Sequence, residues 1–421
     1  MLDIKFIRDN VELVREGIAK KKEKDNLDEL IQLDENRRKT LQLVETKKNH
    51  RNSVSEEIAS LKKNKLDASN KISEMSLLKD EIQKLDPQLK QIENELNNLL
   101  LSIPNIPHSS VPIGNSPNDN KVVFEYGEIP ETDFELKSHW EIANNLKIID
   151  FEKGALVTGA GFPFYYGKGA KLQRALINFF LDEAEKKGYF EIQPPIFVNE
   201  DSVRGTGQIP DKEDLMYIIE RDGFYLVPTA EVPITNFHRN EIILDKNLPI
   251  KYCAYTPCFR REAGSYGKDV RGLNRLHQFD KVELVKFVHP ERSYEELEFL
   301  REDAEDLLKK LGLKYHTLLM CSVDMGFSQA KKYDLEIWSS AQKKWLEVSS
   351  VSNFESFQAR RMNIRYRPND GTKVEILHTL NGSGLALPRI VAGILENYQT
   401  PDGKVVVPKV LQKYTGFELI D

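Results

Sequence analysis

Two stretches near the start of the chain carry apolar residues at alternating steps of three and four. The clearer seam consists of Leu78, Ile82, Leu85, Leu89, Ile92, Leu96 and Leu99. A looser seam upstream consists of Leu27, Leu30, Leu41, Val44, Val54, Ile58 and Leu61. Heptad spacing of this kind is typical of helices that pack along a coiled-coil stripe. Residues 62–71, KKNKLDASNK, are rich in turn formers, so we predict two antiparallel helices of roughly 33 residues, each about 50 Å long.

The first hundred residues also differ in composition from the rest. They contain one Phe, Tyr or Trp residue (Phe6), one glycine (Gly17) and one proline (Pro87), which favours helix with little globular core. Pro87 falls inside the clearer seam, where we expect it to kink the helix. The Pro-rich stretch that follows resembles a linker. The predicted organisation is an N-terminal arm at 1–101, a linker at 102–120 and a larger domain at 121–421.

Beyond the linker the pattern changes to short strand-like runs mixed with helices. MYIIERDGFYLVPT predicts a hairpin that turns at Asp222-Gly223. Further strands are predicted over 250–262, 276–288 and 343–354, and helices over 291–311 and 388–398. Regular alternation of strand and helix is missing, so we predict an α+β domain with a mainly antiparallel sheet. Neither GxGxxG nor GxxxxGK[ST] occurs, so a bound nucleotide would lack both familiar phosphate loops.

Charge and cysteine content narrow the function classes. The net charge is −6 and there are three cysteines, Cys253, Cys258 and Cys321. A disulfide framework is not expected, a reducing cytoplasmic location fits, and no apolar run is long enough to span a membrane. A local basic excess surrounds the predicted helical turn and comprises Lys47, Lys48, Arg51, Lys62, Lys63 and Lys65. It is either a solvated coiled-coil face or a phosphate-contacting surface.

Charged residues are unusually regularly spaced in the stretch FRREAGSYGKDVRGLNRLHQFDKVELVKF at 259–287. Residues two apart on a strand share a face, so Arg260 and Glu262 are expected to point together, as are Arg275, Phe279 and Glu283 on the return strand. An arginine fork suits phosphate or carboxylate, and a phenyl ring suits a stacked base. The pattern predicts a site for a nucleoside triphosphate and an amino acid. The alternative is a solvated salt-bridge ladder, which does not explain the aromatic residue.

The same stretch resembles motif 2 of class II aminoacyl-tRNA synthetases, and the chain as a whole is similar to the bacterial-type seryl-tRNA synthetase family. The resemblance rests on the helical hairpin, the Pro-rich linker and five segments: VPTAEVP at 227–233, FRREAGSYGKDVRGL at 259–273, HQFDKVE at 277–283, EVSSVSNFESFQARR at 347–361 and LNGSGLALPRIVAGILEN at 380–397. It implies a class II catalytic domain that joins serine to tRNA.

The resemblance also implies roles for individual residues. The catalytic arginines are Arg260, Arg275 and Arg389. The expected serine-binding residues are Thr229, Glu231, Arg260, Glu283, Asn381 and Ser383. The expected ATP-binding residues are Arg260, Arg261, Glu262, Arg275, Phe279, Glu347, Val348, Ser349, Ser350 and Arg389. Lys281 shares the site face, as either a ligand contact or a solvated lysine.

Two of these assignments carry a geometric condition. Thr229 and Glu231 face the same way if their triplet is a strand, whereas the adjacent prolines favour a turn. Glu347 and Ser350 are the expected ligands of Mg²⁺, since both offer hard oxygen donors. They would point in opposite directions on a regular strand, so their pairing requires a bulge or a strand end.

The resemblance implies a reaction in which serine and ATP form seryl-adenylate, followed by transfer to the 3′ end of tRNA(Ser), and of tRNA(Sec) where the organism has it. It implies ATP as substrate with Mg²⁺, no zinc, a homodimer with tRNA bound across subunits, and no membrane or DNA partner. The dimer interface is expected near 187–200, with Pro195 as the motif 1 proline. Two alternatives are a paralogue that charges a carrier protein and a coiled-coil protein with an inactive domain.

Overall fold

The computed structural model describes residues 1–209, 214–262 and 271–421. The chain divides into two compact units, Met1–Pro104 and Asn105–Asp421. Among the described residues, no helix combines the length and the apolar character needed to cross a membrane.

The first unit is helical. Its helices are α1 (Ile4–Asp9), α2 (Val11–Lys20), α3 (Leu27–Lys63) and α4 (Ser69–Ser102). The predicted helical hairpin is confirmed, and it is formed by α3 and α4. Buried leucine, isoleucine and valine side chains line the hairpin, and the predicted seam residues Leu78, Ile82 and Leu96 are among them. Helix α4 continues through Pro87.

Ion pairs join the two long helices along their solvated edges. Lys47 contacts Glu81 at 2.6 Å, and Lys48 contacts Asp86 at 2.9 Å. These two lysines are therefore neutralised within the hairpin. Within the described residues, no carboxylate forms an ion pair with the exposed Lys62, Lys63 or Lys65 at the hairpin turn.

The second unit mixes helices and strands. Its helices are α5 (His139–Asn145), α6 (Phe151–Val157), α7 (Lys168–Lys186), α8 (Glu200–Thr206), α9 (Glu231–Thr235), α10 (Ser293–Leu311), α11 (Phe357–Met362), α12 (Leu387–Asn397) and α13 (Lys409–Thr415). Its strands are β1 (Lys121–Tyr126), β2 (Ile149–Asp150), β3 (Phe164–Tyr165), β4 (Phe190–Glu191), β5 (Phe197–Asn199), β6 (Ile218–Ile219), β7 (Phe224–Leu226), β8 (Ile242–Leu244), β9 (Ile250–Phe259), β10 (Gln278–Val288), β11 (Tyr315–Leu319), β12 (Lys331–Ser339), β13 (Lys344–Asn353), β14 (Arg365–Arg367), β15 (Glu375–Ile376), β16 (His378–Ala386), β17 (Val405–Val406) and β18 (Leu419–Ile420).

Within the described part of the chain, eight strands form the main sheet in the order β1-β11-β12-β13-β16-β10-β9-β4. Every neighbouring pair is antiparallel except β4 with β9. The long helices α7, α10 and α12 pack on this sheet, and their apolar faces join its core. The predicted α+β domain with a mainly antiparallel sheet is thus confirmed. The hairpin predicted around Asp222-Gly223 is also present as β6 and β7.

The charged strands predicted over 250–262 and 276–288 are shorter than expected. Strand β9 ends at Phe259, and β10 begins at Gln278. The backbone N–H of Arg260 still reaches the carbonyl of His277, but that of Arg261 turns away to Leu215. Glu262 then adopts a positive φ of 49°. Arg260, Glu262 and Arg275 therefore lie on irregular segments beyond the strands, where strand alternation does not fix their directions.

Candidate active site

A cavity of about 660 Å³ opens over the centre of the main sheet, beside strands β10, β13 and β16 and the first turns of α9 and α12. Polar and charged side chains dominate its wall. All of the predicted site residues except Arg261 lie on it: Thr229, Glu231, Arg260, Glu262, Arg275, Phe279, Glu283, Glu347, Val348, Ser349, Ser350, Asn381, Ser383 and Arg389. Segments far apart in sequence therefore converge on one site.

Arg261 has a different environment. Its guanidinium contacts Asp214 at 3.2 Å, and the side chain does not line the cavity. This placement does not support direct contact with a ligand in the cavity, and it follows from the turn of the backbone at this point. Residues 263–270, which include most of the predicted motif 2 loop, lie outside the described residues.

Arg260 lines the cavity and contacts two of its parts. Its guanidinium carbon lies 5.3 Å from the centroid of the Phe279 ring, a cation–π distance. Its Nε donates to the carbonyl of Pro228 at 3.3 Å, directly before Thr229. Arg260 therefore lies between a partly buried aromatic ring suited to a base and a polar cluster suited to a small amino acid.

That polar cluster contains Thr229, Lys281 and Glu283, all of which are buried. The Thr229 hydroxyl donates to Glu283 Oε2 at 2.8 Å and accepts from Lys281 Nζ at 2.9 Å. Lys281 also forms an ion pair with Glu283. The alternative of a solvated Lys281 is therefore wrong. Both bonds of Glu283 involve Oε2, which leaves Oε1 for a further donor such as a substrate hydroxyl.

Thr229 and Glu231 do not lie on a strand. Thr229 is in a turn and Glu231 begins helix α9, so the reasoning from strand alternation was wrong and the proline-bounded turn is correct. Both side chains still face the cavity. Glu231 accepts a hydrogen bond from Gln358 Nε2 at 2.6 Å. Burial, with a smaller contribution from the Glu283 charge, raises the pKa of Glu231 to about 7, so an ammonium group would be a favourable partner.

The floor of the small pocket is formed by β16. Asn381 and Ser383 lie on this strand, and Ser383 is directly opposite Glu283 of β10. The Ser349 hydroxyl of β13 donates to the carbonyl of Ser383 at 2.7 Å. The Ser349 hydroxyl therefore has a structural partner, and this hydrogen bond holds β13 against β16 beside the pocket.

Of the two geometries that would let Glu347 and Ser350 meet, a bulge or a strand end, the structure has the bulge. Ser349 pairs with Leu335 and Glu347 pairs with Glu336, so Val348 is an extra residue in β13. The bulge turns Glu347 and Ser350 toward each other, and the Ser350 hydroxyl donates to Glu347 Oε1 at 2.9 Å. Although burial alone raises the pKa of Glu347, the cations of Lys332 and Arg389 hold it below its usual range. An ionised carboxylate beside a hydroxyl fits a hard divalent cation.

The described residues contain no cluster of three or more His, Cys, Asp or Glu side chains with metal-site geometry. A cation at Glu347 and Ser350 would therefore need oxygen ligands from a bound substrate as well. This coordination suits Mg²⁺, which is commonly held by one or two protein carboxylates together with phosphate oxygens.

Arg275 and Arg389 flank the same end of the cavity. Arg275 Nε contacts Glu262 at 3.3 Å. Arg389, in the first turn of α12, donates from Nε to the carbonyl of Asn274 at 3.0 Å and from one terminal nitrogen to the carbonyl of Glu347 at 2.7 Å. Two cations that line one cavity, one of them at a helix N-terminus, favour a bound polyanion.

Sequence reasoning missed several cavity residues, including Gln208, Asn274, Gln329 and Lys332. Lys332 contacts the buried Asp334 at 3.0 Å on β12. Lys332 and Asp334 are two residues apart on a predictable strand, so the sequence could have indicated this ion pair. It could not have indicated that Lys332 lies close to Glu347 of β13. His277 shares the sequence pattern of Phe279 but lies outside this cavity, where its ring stacks on Phe162 with centroids 5.4 Å apart.

Comparison with known proteins is consistent across the whole chain. Residues 1–107 match the seryl-tRNA synthetase N-terminal domain, and residues 217–398 match the class II tRNA synthetase core domain of the G, H, P, S and T types. A serine–tRNA ligase of Salinibacter ruber is 54% identical over 100% of this chain and 99% of its own length.

Solved structures agree. Seryl-tRNA synthetase from Pyrococcus horikoshii, complexed with ATP, superposes with a TM-score of 0.93 at 36% identity over 100% of this chain and 99% of that one. Cytoplasmic serine-tRNA ligase from Naegleria fowleri, in complex with AMP, gives 0.88 at 31% identity over the same shares. The full-length match disfavours both a carrier-protein paralogue and an inactive coiled-coil protein.

Proposed function

Because the chain belongs to the serine–tRNA ligase family and is therefore a class II enzyme that joins serine to tRNA, we propose that its central cavity binds ATP and serine side by side and forms seryl-adenylate. The position of Arg260 carries this proposal. Its guanidinium lies between the Phe279 ring and the Thr229–Lys281–Glu283 cluster, where an α-phosphate and a serine carboxylate have to meet.

The serine subsite follows from the charges and the volume around that arginine. Glu231 binds the ammonium group, Arg260 the carboxylate, and the free Oε1 of Glu283 the hydroxyl. Asn381 and Ser383 close the pocket around a small side chain. Alanine lacks the hydroxyl, so its binding leaves a buried acceptor of Glu283 unpaired, which strongly favours serine.

The ATP subsite occupies the opposite half of the cavity. Adenine stacks on Phe279, and Glu262 accepts from its amino group, while Val348 and Ser349 form part of the wall. Arg275 and Arg389 bind the β- and γ-phosphates. Glu347 and Ser350 hold Mg²⁺, which supplies charge neutralisation on the phosphate oxygens when bound. Arg261, which pairs with Asp214 and does not line the cavity, is not included in this proposal.

The reaction then proceeds by positioning and charge stabilisation. The serine carboxylate attacks the α-phosphorus in line, an oxygen–phosphorus bond forms, and pyrophosphate leaves. The 3′-terminal ribose hydroxyl of tRNA next attacks the acyl carbonyl, giving seryl-tRNA and AMP. Arg260 stabilises the negative charge that develops on the α-phosphate, and no side chain has to act as a covalent nucleophile.

The remaining expectations concern organisation and partners. Residues 1–101 form an arm that binds tRNA(Ser), and tRNA(Sec) where the organism has it. Residues 102–120 are the linker and 121–421 the catalytic domain, working in the cytoplasm as a homodimer with tRNA bound across subunits. The exposed Phe190 of β4, whose relative exposure is 70%, and the neighbouring motif 1 segment support a dimer interface there.

Serine-dependent exchange of pyrophosphate into ATP tests the site directly. Glu283→Ala should lower serine activation far more than it weakens ATP binding, because the acceptor for the serine hydroxyl and the bonds to Thr229 and Lys281 that it removes all lie in the serine subsite. Glu295→Ala, which changes an exposed carboxylate on α10, is the matched control and should behave as wild type. Equal loss of serine and ATP binding in the Glu283 variant would refute the assignment.

A further inference from the structure

A buried histidine outside the cavity contacts the segment that leads into it. His139 is fully buried at the start of α5. Its Nε2 accepts a hydrogen bond from the backbone N–H of Leu273 at 2.8 Å. Its Nδ1 lies 2.7 Å from Glu396 Oε1 on α12. Because a backbone N–H can only donate, Nε2 is the acceptor, so Nδ1 carries the proton and donates to Glu396.

The chain passes over this imidazole at very short range. Gly272 has a positive φ of 66°, and a Cβ at this position would lie 2.3 Å from His139 Nε2. Only glycine allows this approach, both because of its dihedral angle and because of the missing side chain. The close packing on His139 therefore depends on a glycine at position 272, just before Asn274 and Arg275.

A second set of bonds ties the same segment to α12. Gln342 accepts from Asn274 Nδ2 at 2.8 Å and donates to Glu396 Oε1 at 3.0 Å. The carbonyl of Asn274 accepts from Arg389 Nε at 3.0 Å. The Glu396 carboxylate, through His139 and Gln342, thus orients the backbone that leads into Arg275 and that holds Arg389.

We infer that His139 is a positioning residue for adenylate formation: it fixes the backbone at Leu273 and Asn274, and through it the guanidinium groups of Arg275 and Arg389. The inference rests on the proposed function, which assigns both arginines to the triphosphate. His139 touches no substrate in this arrangement. Its effect is transmitted by one backbone hydrogen bond whose donor is otherwise buried and unpaired.

Two substitutions separate the bond from the packing. His139→Leu keeps a side chain of similar volume but removes both the acceptor for Leu273 and the donor to Glu396, whereas a glutamine amide oxygen in His139→Gln can take the place of Nε2. The leucine variant should lower kcat/KM for ATP roughly tenfold to hundredfold, the scale of a misplacement of about 1 Å. The KM for serine should stay near the wild-type value, and the glutamine variant should recover most of the activity.

Ser340→Ala is the matched control, because Ser340 bonds to Asn397 at the end of α12 and not to the Leu273–Asn274 segment. It should leave the KM for ATP unchanged. If His139→Leu does not fold, Gln342→Ala, which removes the side-chain bond to Asn274, should show the same selective impairment of ATP kinetics to a smaller degree.

Arg275→Ala and Arg389→Ala distinguish failure of the inference from failure of the proposed function. Both should weaken ATP use. If they do and the His139 and Gln342 variants keep normal ATP kinetics, the positioning role is wrong. The same conclusion follows if leucine and glutamine at position 139 impair serine and ATP binding equally. If neither arginine variant affects ATP, the assignment of the triphosphate site is refuted and the inference falls with it.

Discussion

The hydroxyl of Ser350 donates to Glu347 Oε1 at 2.9 Å, although residues three apart on a regular strand point to opposite faces. The extra residue at Val348 in β13 makes this contact possible. The bulge brings a carboxylate and a hydroxyl together beside Lys332 and Arg389, at the end of the cavity assigned to the triphosphate. The first prediction concerns this pair.

Glu347→Gln keeps the shape of the side chain but removes its charge, so it should weaken the binding of Mg²⁺. We expect the Mg²⁺ concentration for half-maximal pyrophosphate exchange to rise by at least ~10-fold, which is the lower end of the effect of removing a supporting partner from a metal site. A magnesium titration at saturating ATP and serine measures this. Glu336→Gln, on the neighbouring strand and bonded to His316, is the control; an unchanged magnesium requirement in the Glu347 variant would contradict the assignment.

The second prediction uses the pKa of Glu231, which is raised to about 7 by burial and by the Glu283 charge. The unfolded carboxyl loses its proton near its ordinary pKa of 4.5, whereas the folded one keeps it until about pH 7. The protonated form therefore stabilises the fold fully below pH 4.5, and this contribution is lost as the pH rises to 7. Its size is about 3 kcal/mol, from about 1.4 kcal/mol per pKa unit.

Glu231→Gln removes this proton equilibrium. Without serine, the variant should gain up to about 3 kcal/mol of stability relative to wild type when the pH is raised from 5 to 8, because only wild type loses the contribution of the Glu231 proton. Urea denaturation at the two pH values provides the measurement. The same variant should raise the KM for serine, since the ammonium loses its charged partner. An equal stability difference at both pH values would mean that Glu231 has an ordinary pKa.

The third prediction concerns base stacking on Phe279. Phe279→Tyr retains an aromatic face and should keep the KM for ATP close to wild type. Phe279→Ala should raise it by roughly five- to 150-fold, because stacking contributes about 1–3 kcal/mol per base. The KM for serine, measured in the same exchange assay, is the internal reference. Normal ATP binding by the alanine variant would exclude the stacking role.

The fourth prediction distinguishes the two interpretations of the basic arm. Replacing Lys62, Lys63 and Lys65 together by alanine should weaken tRNA binding and flatten its dependence on salt. The logarithmic slope should fall by about 0.7–0.9 for each lysine–phosphate pair that the substitutions remove. Serine-dependent pyrophosphate exchange should be unaffected. Binding measured across a series of salt concentrations tests this.

The structure provides a matched comparison within the same hairpin. Lys47 and Lys48 already pair with Glu81 and Asp86, so their replacement by alanine should change the salt dependence less than the triple substitution does. If the two variants behave alike, or if the triple variant binds tRNA as wild type does, the basic turn is a solvated face.

Much of the architecture was predictable because it depends on local periodicity. The heptad seam through Leu78, Ile82 and Leu96 predicts the helical hairpin, since burial of one stripe is satisfied by the neighbouring helix. The condition on Glu347 and Ser350 also needed no tertiary information: side chains three apart on a strand can meet only across a bulge or at a strand end, and the structure has the bulge.

Strand ends were less predictable. Strand alternation predicted that Arg275 lies on the return strand with Phe279, but β10 begins only at Gln278. It also predicted that Thr229 shares a strand with Glu231, whereas Glu231 begins helix α9. Ladder hydrogen bonds to neighbouring segments decide where a strand stops, and these partners are distant in the sequence. A long-range backbone bond also explains the position of Arg261. Its N–H donates to the carbonyl of Leu215, and its side chain does not line the cavity that Arg260 lines.

The sequence by itself determined the helical arm, the antiparallel character of the larger domain, the enzyme family and the chemical types of side chain that the reaction needs. Only the tertiary structure decided which of those side chains meet. It buried Lys281 against Glu283, brought Lys332 to Glu347, and tied His139 to Leu273 across 134 residues of chain. Side-chain types and their periods are local properties of a chain, whereas desolvation, charge pairing and long-range hydrogen bonds exist only after distant segments have packed together.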